Sequence, residues 1–234
     1  MSTLAKHRRL GICALVVSAG LGLAVAVGPG AAARQSACTA DYSYAGLQSS
    51  VAVAGIEATV TAMTSPQVAW GHIGGWVGVG GPGMGPNGTD AWIQVGLSSF
   101  ANDRASRIYY EIALPGGTLH YVEIDTNVAV GESHRLAVRE LPSAPGWWRV
   151  IVNDRPVSAA VHLPGSHGRW KAQAFGESWN GGHDVCNVFD YSFAGVQVAE
   201  AGSWVALRGA SLLQDPAYHV IRLSHTAFRA RFVG

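Results

Sequence analysis

DAWIQVGLSS, residues 90–99, alternates apolar and small or polar side chains in the way that a half-buried β-strand does. Successive side chains of a strand point to opposite faces. Ile93, Val95 and Leu97 therefore share one face, which requires an apolar core. Trp92 and Gln94 share the other face with a glycine and a serine. An aromatic ring and an uncharged amide beside such small residues are typical of an open face that holds a ligand.

Similar short stretches recur through the chain and are separated by clusters of Gly, Pro, Asn and Asp. A convincing helical period is missing, apart from a weak turn near residues 210–214. The chain therefore predicts an all-β fold, a jelly-roll β-sandwich of two antiparallel sheets. The expected strands cover residues 42–48, 55–61, 70–79, 91–99, 108–113, 119–125, 134–140, 147–152, 157–163, 172–179, 188–199, 204–207, 218–223 and 227–233.

The first 33 residues have the pattern of a secretory signal peptide. A basic start is followed by an apolar run over residues 10–27 and by three alanines at 31–33. The rival interpretation is a membrane anchor, because the run is nearly long enough to span a bilayer. The small-residue site favours cleavage, so we expect a secreted protein without a stable membrane anchor. Residues 34–234 then form a single β-sandwich domain.

The charge balance argues against a nucleic-acid partner. Three of the 16 basic residues lie in the signal segment, so the remainder, with 15 acidic residues, is slightly acidic. A basic stripe of the kind that binds nucleic acid is missing. Charged residues make up only 13% of the chain, which contains 30 glycines. This composition is typical of an extracellular β protein.

Two cysteines, Cys38 and Cys186, remain after the signal segment is removed. In a secreted chain they are most simply interpreted as one disulfide. Each is followed by a similar octapeptide, DYSYAGLQ at residues 41–48 and DYSFAGVQ at residues 190–197. This similarity suggests two similar strands that lie side by side.

The sequence does not support a dinucleotide-binding site, a zinc site or a glycosidase site. GVGGPG at residues 78–83 matches a dinucleotide-binding pattern by letters, but a proline-glycine loop follows it rather than a helix. The scattered histidines have no zinc-site spacing, and no cofactor or metal is expected. Glu123 and Asp125 share a strand face like the acids of jelly-roll glucanases, but Asn127 and Val128 occupy the positions where the second glutamate would fall. A glycosidase is therefore disfavoured.

Glu177 is the remaining candidate for acid–base chemistry. It lies in AQAFGESW, residues 172–179, where alternation places it on one face with Phe175 and Trp179. A carboxylate between two aromatic side chains is partly desolvated and can act as a general acid or base. The alternative is a carboxylate at the rim of the sheet with no catalytic role.

The order of segments resembles that of the eqolisins, the glutamic peptidases. The resemblance rests on GWVGVG at 75–80, a glycine-rich loop, WIQVG at 92–96, YYE at 109–111, GESW at 176–179 and a closing strand at 189–198. It covers about residues 42–198 and implies a concanavalin A-like β-sandwich. The chain departs from the family pattern at Gly80, at Ile112 and at Trp179, which comes one residue late.

By this resemblance, Gln94 and Glu177 are the catalytic pair. Glu177 would activate a water as general base and then protonate the leaving amine, and Gln94 would stabilise the oxyanion. Trp76, Trp92, Tyr110 and Trp179 would line the substrate groove. The implied protein is a secreted endopeptidase that acts on polypeptides at acid pH. The alternative is a non-catalytic extracellular protein that binds a glycan or a peptide on the same aromatic face.

Overall fold

The structure, a computed structural model, describes Cys38 and residues 41–234. The predicted signal peptide, residues 1–33, lies outside the described residues. Within them, sixteen strands follow one another in the order β1 Tyr42–Ala52, β2 Gly55–Ala62, β3 His72–Gly81, β4 Ala91–Phe100, β5 Ser106–Leu114, β6 Thr118–Val128, β7 Ser133–Leu141, β8 Ala144–Val152, β9 Arg155–Pro156, β10 Val161–His162, β11 Lys171–Trp179, β12 Asp190–Glu200, β13 Ser203–Ala206, β14 Ser211–Gln214, β15 Tyr218–Arg222 and β16 Phe228–Phe232.

The strands form two sheets, and every strand pairing is antiparallel. The first sheet has seven strands in the order β14-β1-β11-β3-β4-β5-β6. The second has nine, in the order β10-β8-β7-β2-β12-β16-β15, with β13 beside β12 and β9 beside β8. This arrangement confirms the predicted all-β sandwich.

The two sheets bury a shared apolar core. Ile93, Val95 and Leu97 of β4 have no exposed surface, as their alternation predicted. They belong to the same buried cluster as Ile56 and Phe193 of the second sheet. Each such side chain contributes roughly 1.5–3 kcal/mol when it leaves water. The other face of the first sheet is free to carry polar and aromatic groups.

Three expectations about strands are wrong. The two similar octapeptides begin β1 and β12, which belong to different sheets and do not pair with each other. The weak helical turn near 210–214 is instead the short strand β14, which pairs with β1. The expected strand over 157–163 is reduced to the two residues of β10. Sequence similarity between strands reflects a shared alternation, which does not determine the sheet that each strand joins.

The predicted disulfide between Cys38 and Cys186 is present and links two positions 148 residues apart. It joins the segment before β1 to the connection between β11 and β12. In the described part of the chain, none of the helices has the length and apolar character needed to cross a membrane.

Candidate active site

The register of the seven-stranded sheet places Gln94 and Glu177 on the same face. Gln94 of β4 lies directly opposite Gly78 of β3, and Glu177 of β11 lies directly opposite Gly74 of the same strand. Residues directly opposite each other in a sheet share a face. Gly74 and Gly78 are four residues apart on one strand, so they also share a face. Strand β3 therefore lies between the two candidate side chains and aligns them.

Glycine at two positions allows this close arrangement. A Cβ atom at Gly78 would lie 2.7 Å from the Cβ of Gln94, and one at Gly96 would lie 2.6 Å from the Cβ of Trp76. Real Cβ atoms do not approach so closely, so a side chain at either position would displace its neighbour. Gly78, two residues after Trp76, thus leaves room for Gln94, and Gly96, two residues after Gln94, leaves room for Trp76.

Both carboxylate oxygens of Glu177 have a hydrogen-bonding partner. Trp76 donates its indole N–H to Oε2 over 3.0 Å, and His72 Nε2 lies 3.0 Å from Oε1. Glu177 is buried, with 7% of its surface exposed. Strand β3 supplies both partners, because His72 and Trp76 are four residues apart and point to the same face. The carboxylate is held at the floor of the face rather than at its rim.

Gln94 is held from the opposite side. Its side-chain nitrogen donates to the hydroxyl oxygen of Tyr109 over 3.1 Å. Tyr109 is buried and stacks on Tyr121, with ring centroids 5.1 Å apart. An amide nitrogen carries two hydrogens, and this contact uses one of them. The second is available to a ligand.

A second carboxyl group, Glu111, lies directly across from Gln94 in the sheet. Its Oε1 accepts the indole N–H of Trp92 over 2.8 Å. Burial raises the pKa of Glu111, and the charge of Glu177 raises it further. The hydrogen bond from Trp92 and the nearby His72 act in the opposite direction without reversing the shift. Glu111 therefore takes up a proton more readily than an exposed glutamate.

Two tyrosines of β1 complete the wall beside Glu177. Burial, followed by the charge of Glu177, raises the pKa of Tyr42 and of Tyr44 above the ordinary value of 10.0. Both phenols therefore keep their protons at acid and neutral pH and can donate hydrogen bonds to a ligand.

These groups surround one cavity of about 440 Å³. It is lined by Tyr42, Tyr44, His72, Trp76, Gly81, Pro82, Asp90, Trp92, Gln94, Glu111, Leu119 and Glu177. Gly81 is the last residue of β3, and Pro82 belongs to the glycine-rich connection that follows it. A larger cavity of about 930 Å³ lies between segments 206–209 and 222–225, and neither of its walls carries a carboxylate. Among the described residues, no group of three or more His, Cys, Asp and Glu side chains could hold a metal ion.

The predicted site residues are brought together with one exception. Trp76 and Trp92 line the cavity beside the catalytic candidates. Trp179 does not line the cavity itself but packs against His72, which does, with ring centroids 5.5 Å apart. Tyr110 needs correction, because it packs against the core between the sheets. It lies opposite Val95, whereas the neighbouring Tyr109 and Glu111 face the cavity side with Gln94.

Tyr109, Glu111 and His72 were not identified from the sequence as site residues. The alternation of β5 contains a usable signal, because Ile108, Tyr110 and Ile112 form one apolar face and leave Tyr109 and Glu111 on the other. No comparable signal points to His72. Its role depends on the pairing of β3 with β11, which a single sequence does not specify.

Comparison with solved structures shows which fold this is. No family model and no curated protein matches the sequence. The chain is similar in structure to scytalido-glutamic peptidase with a transition state analog inhibitor, with a TM-score of 0.59 and 16% identity, over 82% of this chain and 99% of that one. A second structure of that peptidase, with a peptide based transition state analog, gives a TM-score of 0.56 and 18% identity over the same shares.

A further similar structure is SCP-B, described as a member of the eqolisin family of peptidases in a complex with the tripeptide Ala-Ile-His. It gives a TM-score of 0.53 and 16% identity, and 82% of this chain covers 99% of that chain. At these identities the similarity concerns the fold. The resemblance to the eqolisins is thus confirmed as a shared β-sandwich fold.

Proposed function

We propose that the chain is a secreted glutamic endopeptidase that acts at acid pH, with Gln94 and Glu177 as its catalytic residues. One observation carries the proposal. A buried carboxylate and a buried amide, from strands on either side of β3, line a single cavity on one sheet face. The peptidase fold is consistent with this pairing.

The chemistry follows from the two functional groups. Glu177 accepts a proton from a water molecule as the water oxygen attacks the peptide carbonyl carbon. The carbonyl oxygen becomes an oxyanion, and the free N–H of Gln94 donates a hydrogen bond to it. Glu177 then transfers its proton to the leaving amine nitrogen, and the C–N bond breaks. The carboxylate is regenerated, and the products are a carboxylic acid and an amine.

A polypeptide substrate is supported by the ligands of the similar structures, which are a peptide based transition state analog and a tripeptide. The cavity has apolar and aromatic walls with a few polar groups, which suits an extended peptide. Acid pH is supported by Asp90, Glu111 and Glu177, which share the cavity. Burial raises the pKa of Glu111, and its protonation would reduce repulsion between these carboxylates.

Secretion is supported by the signal segment at residues 1–33 and by the disulfide. Disulfides persist in oxidising, extracellular environments and are rare in the cytosol. The proposed mature protein therefore begins near residue 34 and carries its cleft on the seven-stranded sheet.

The test is proteolysis of a denatured protein by the purified mature chain between pH 2 and 6, with new termini identified by mass spectrometry. Cleavage is expected in the wild type, and Glu177→Gln and Gln94→Ala are each expected to abolish it. Glu200→Gln, at an exposed position on the other sheet, is the matched control and should cleave normally. Undiminished cleavage by both site variants would exclude the catalytic pair.

The second candidate function is non-catalytic binding of a glycan or a peptide. It is favoured by the aromatic wall, where Tyr42 is 46% exposed and its ring lies 6.1 Å from that of Trp179. An inactive wild type that still binds peptides or oligosaccharides, with loss of binding in Trp179→Ala, would support this alternative.

A further inference from the structure

Among the described residues that line the cavity, His72 is the only basic side chain, and the proposed chemistry does not use it. Its Nε2 lies 3.0 Å from Oε1 of Glu177. A carboxylate oxygen accepts hydrogen bonds, so Nε2 is the nitrogen that carries the proton in this contact. About a quarter of the His72 side chain is exposed, compared with a tenth of the Glu177 side chain. His72 therefore lies between the more deeply buried carboxylate and the open groove.

Aromatic rings from three other strands hold the His72 ring. The centroids lie 6.4 Å away for Tyr42 of β1, 5.7 Å for Phe100 of β4 and 5.5 Å for Trp179 of β11. Rings at such separations restrict the orientation of a side chain placed among them. The direction of the Nε2–H bond is thereby set by the packing of the sheet face and is maintained without a ligand.

The contact fixes the plane of the carboxylate. The terminal torsion of a glutamate side chain has a broad minimum, so a single donor leaves the carboxylate free to rotate. Here Trp76 holds Oε2 and His72 holds Oε1. Two donors on different oxygens define the plane, and the remaining lone pairs then point in fixed directions.

We propose that His72 is a positioning residue for Glu177: its Nε2–H orients the carboxylate so that the remaining lone pairs face the attacking water. This inference rests on the proposed function, in which Glu177 is the general base. It requires a hydrogen-bond donor at the position of Nε2, and it does not require a positive charge there. A neutral amide that reaches the same point should therefore replace the imidazole.

Three substitutions separate positioning from simple packing. In His72→Gln, the side-chain amide nitrogen reaches approximately the position of Nε2. In His72→Asn, the same amide is one carbon shorter and corresponds to Nδ1, so it is the matched control. His72→Ala removes the donor altogether. We expect kcat to fall about 10- to 100-fold in the alanine and asparagine variants, as for a misplaced catalytic group. His72→Gln should recover most of the wild-type kcat, and KM should stay within about threefold in all three.

A second measurement does not depend on turnover. The side-chain carboxyl carbon of Glu177, labelled with ¹³C and assigned by its loss in Glu177→Gln, should shift in His72→Ala and His72→Asn but much less in His72→Gln. Equal kcat and an unshifted carboxyl resonance in all three variants would overturn the positioning role. A rise in KM at constant kcat would assign His72 to substrate contact instead. An inactive wild type whose resonance still follows the predicted order would overturn the peptidase function and leave the His72 contact in place.

Discussion

Glu111 and Glu177 occupy the same cavity, yet their surroundings differ at the level of single hydrogen bonds. Glu177 has partners on both oxygens, from Trp76 and His72. Glu111 has Trp92 on Oε1, and burial with the nearby charge of Glu177 raises its pKa. The two carboxyl groups of the cavity thus differ in their hydrogen-bond partners, and burial favours the protonated form of Glu111.

Glu111 should make the stability of the protein depend on pH. Its pKa is raised above 4.5 in the folded state, so the folded state binds the proton more tightly than the unfolded state does. As the pH rises through 4.5, the unfolded state loses the proton first, and stability falls until the folded state also loses it. Glu111→Gln removes this titration. The free energy of unfolding of the variant, minus that of the wild type, should therefore be larger at pH 7 than at pH 3.

Urea unfolding of both proteins at the two pH values measures the effect. If the difference in unfolding free energy between Glu111→Gln and the wild type were the same at pH 3 and pH 7, the predicted role of Glu111 would be contradicted. The glutamine oxygen can still accept the Trp92 N–H, so the hydrogen bond itself is retained in the comparison.

At the scale of elements, the face assignments of β4 could be predicted and the neighbours of β4 could not. Alternation alone predicted that Ile93, Val95 and Leu97 are buried and that Gln94 lies on the opposite face. Which residue of β5 lies beside Gln94 depends on cross-strand register, which is set by the folded sheet. The family resemblance predicts that Tyr110 lines the groove, although the alternation of β5 places it with two isoleucines on the core face.

Strand pairing that the sequence does not specify also explains why the contact of His72 and the sheets of the two octapeptides could not be predicted. His72 meets Glu177 only because β3 pairs with β11, from a distant part of the sequence. The two octapeptides begin strands of similar alternation in separate sheets. Single strands are specified locally by the pattern of side chains, whereas sheet membership depends on the packing of the whole core.

A substitution at Gly96 should affect both the packing of the first sheet and catalysis. An alanine there would bring its Cβ to 2.6 Å from that of Trp76, the donor to Glu177. Gly96→Ala is expected to lower the free energy of unfolding by about 1–3 kcal/mol, as overpacking does, and to lower kcat by displacing the indole. Gly74→Ala is the matched control for stability, because its Cβ would stay 3.5 Å from the nearest atom. Equal urea midpoints for the two variants would contradict this account.

At the scale of the molecule, the disulfide links the segment before β1 to the connection after β11. It closes a loop of 148 residues. Cys38→Ala with Cys186→Ala should lower the free energy of unfolding by about 4–5 kcal/mol, because the unfolded chain gains the conformational freedom that the link removes. Guanidinium unfolding measures the change, and the reduced wild type should match the double variant. A loss below about 1 kcal/mol in both would show that the link contributes little to stability.

The overall architecture was the most predictable property of the chain. Strand count, turn spacing and the two cysteines were sufficient for an all-β sandwich with one disulfide. The chemistry of the cleft was less accessible, since its lining residues come from six strands, and the pairing of these strands is not specified by the pattern of any one of them.

The central claim, that Glu177 is the catalytic carboxyl group, is tested most directly by one ratio. It is kcat/KM for a fluorogenic peptide at the pH optimum, measured for Glu177→Gln and divided by that of the control Glu200→Gln, with both variants shown to be folded. We expect a ratio on the order of 10⁻² to 10⁻⁴, the usual contribution of a general acid or base. A ratio near one would contradict the account.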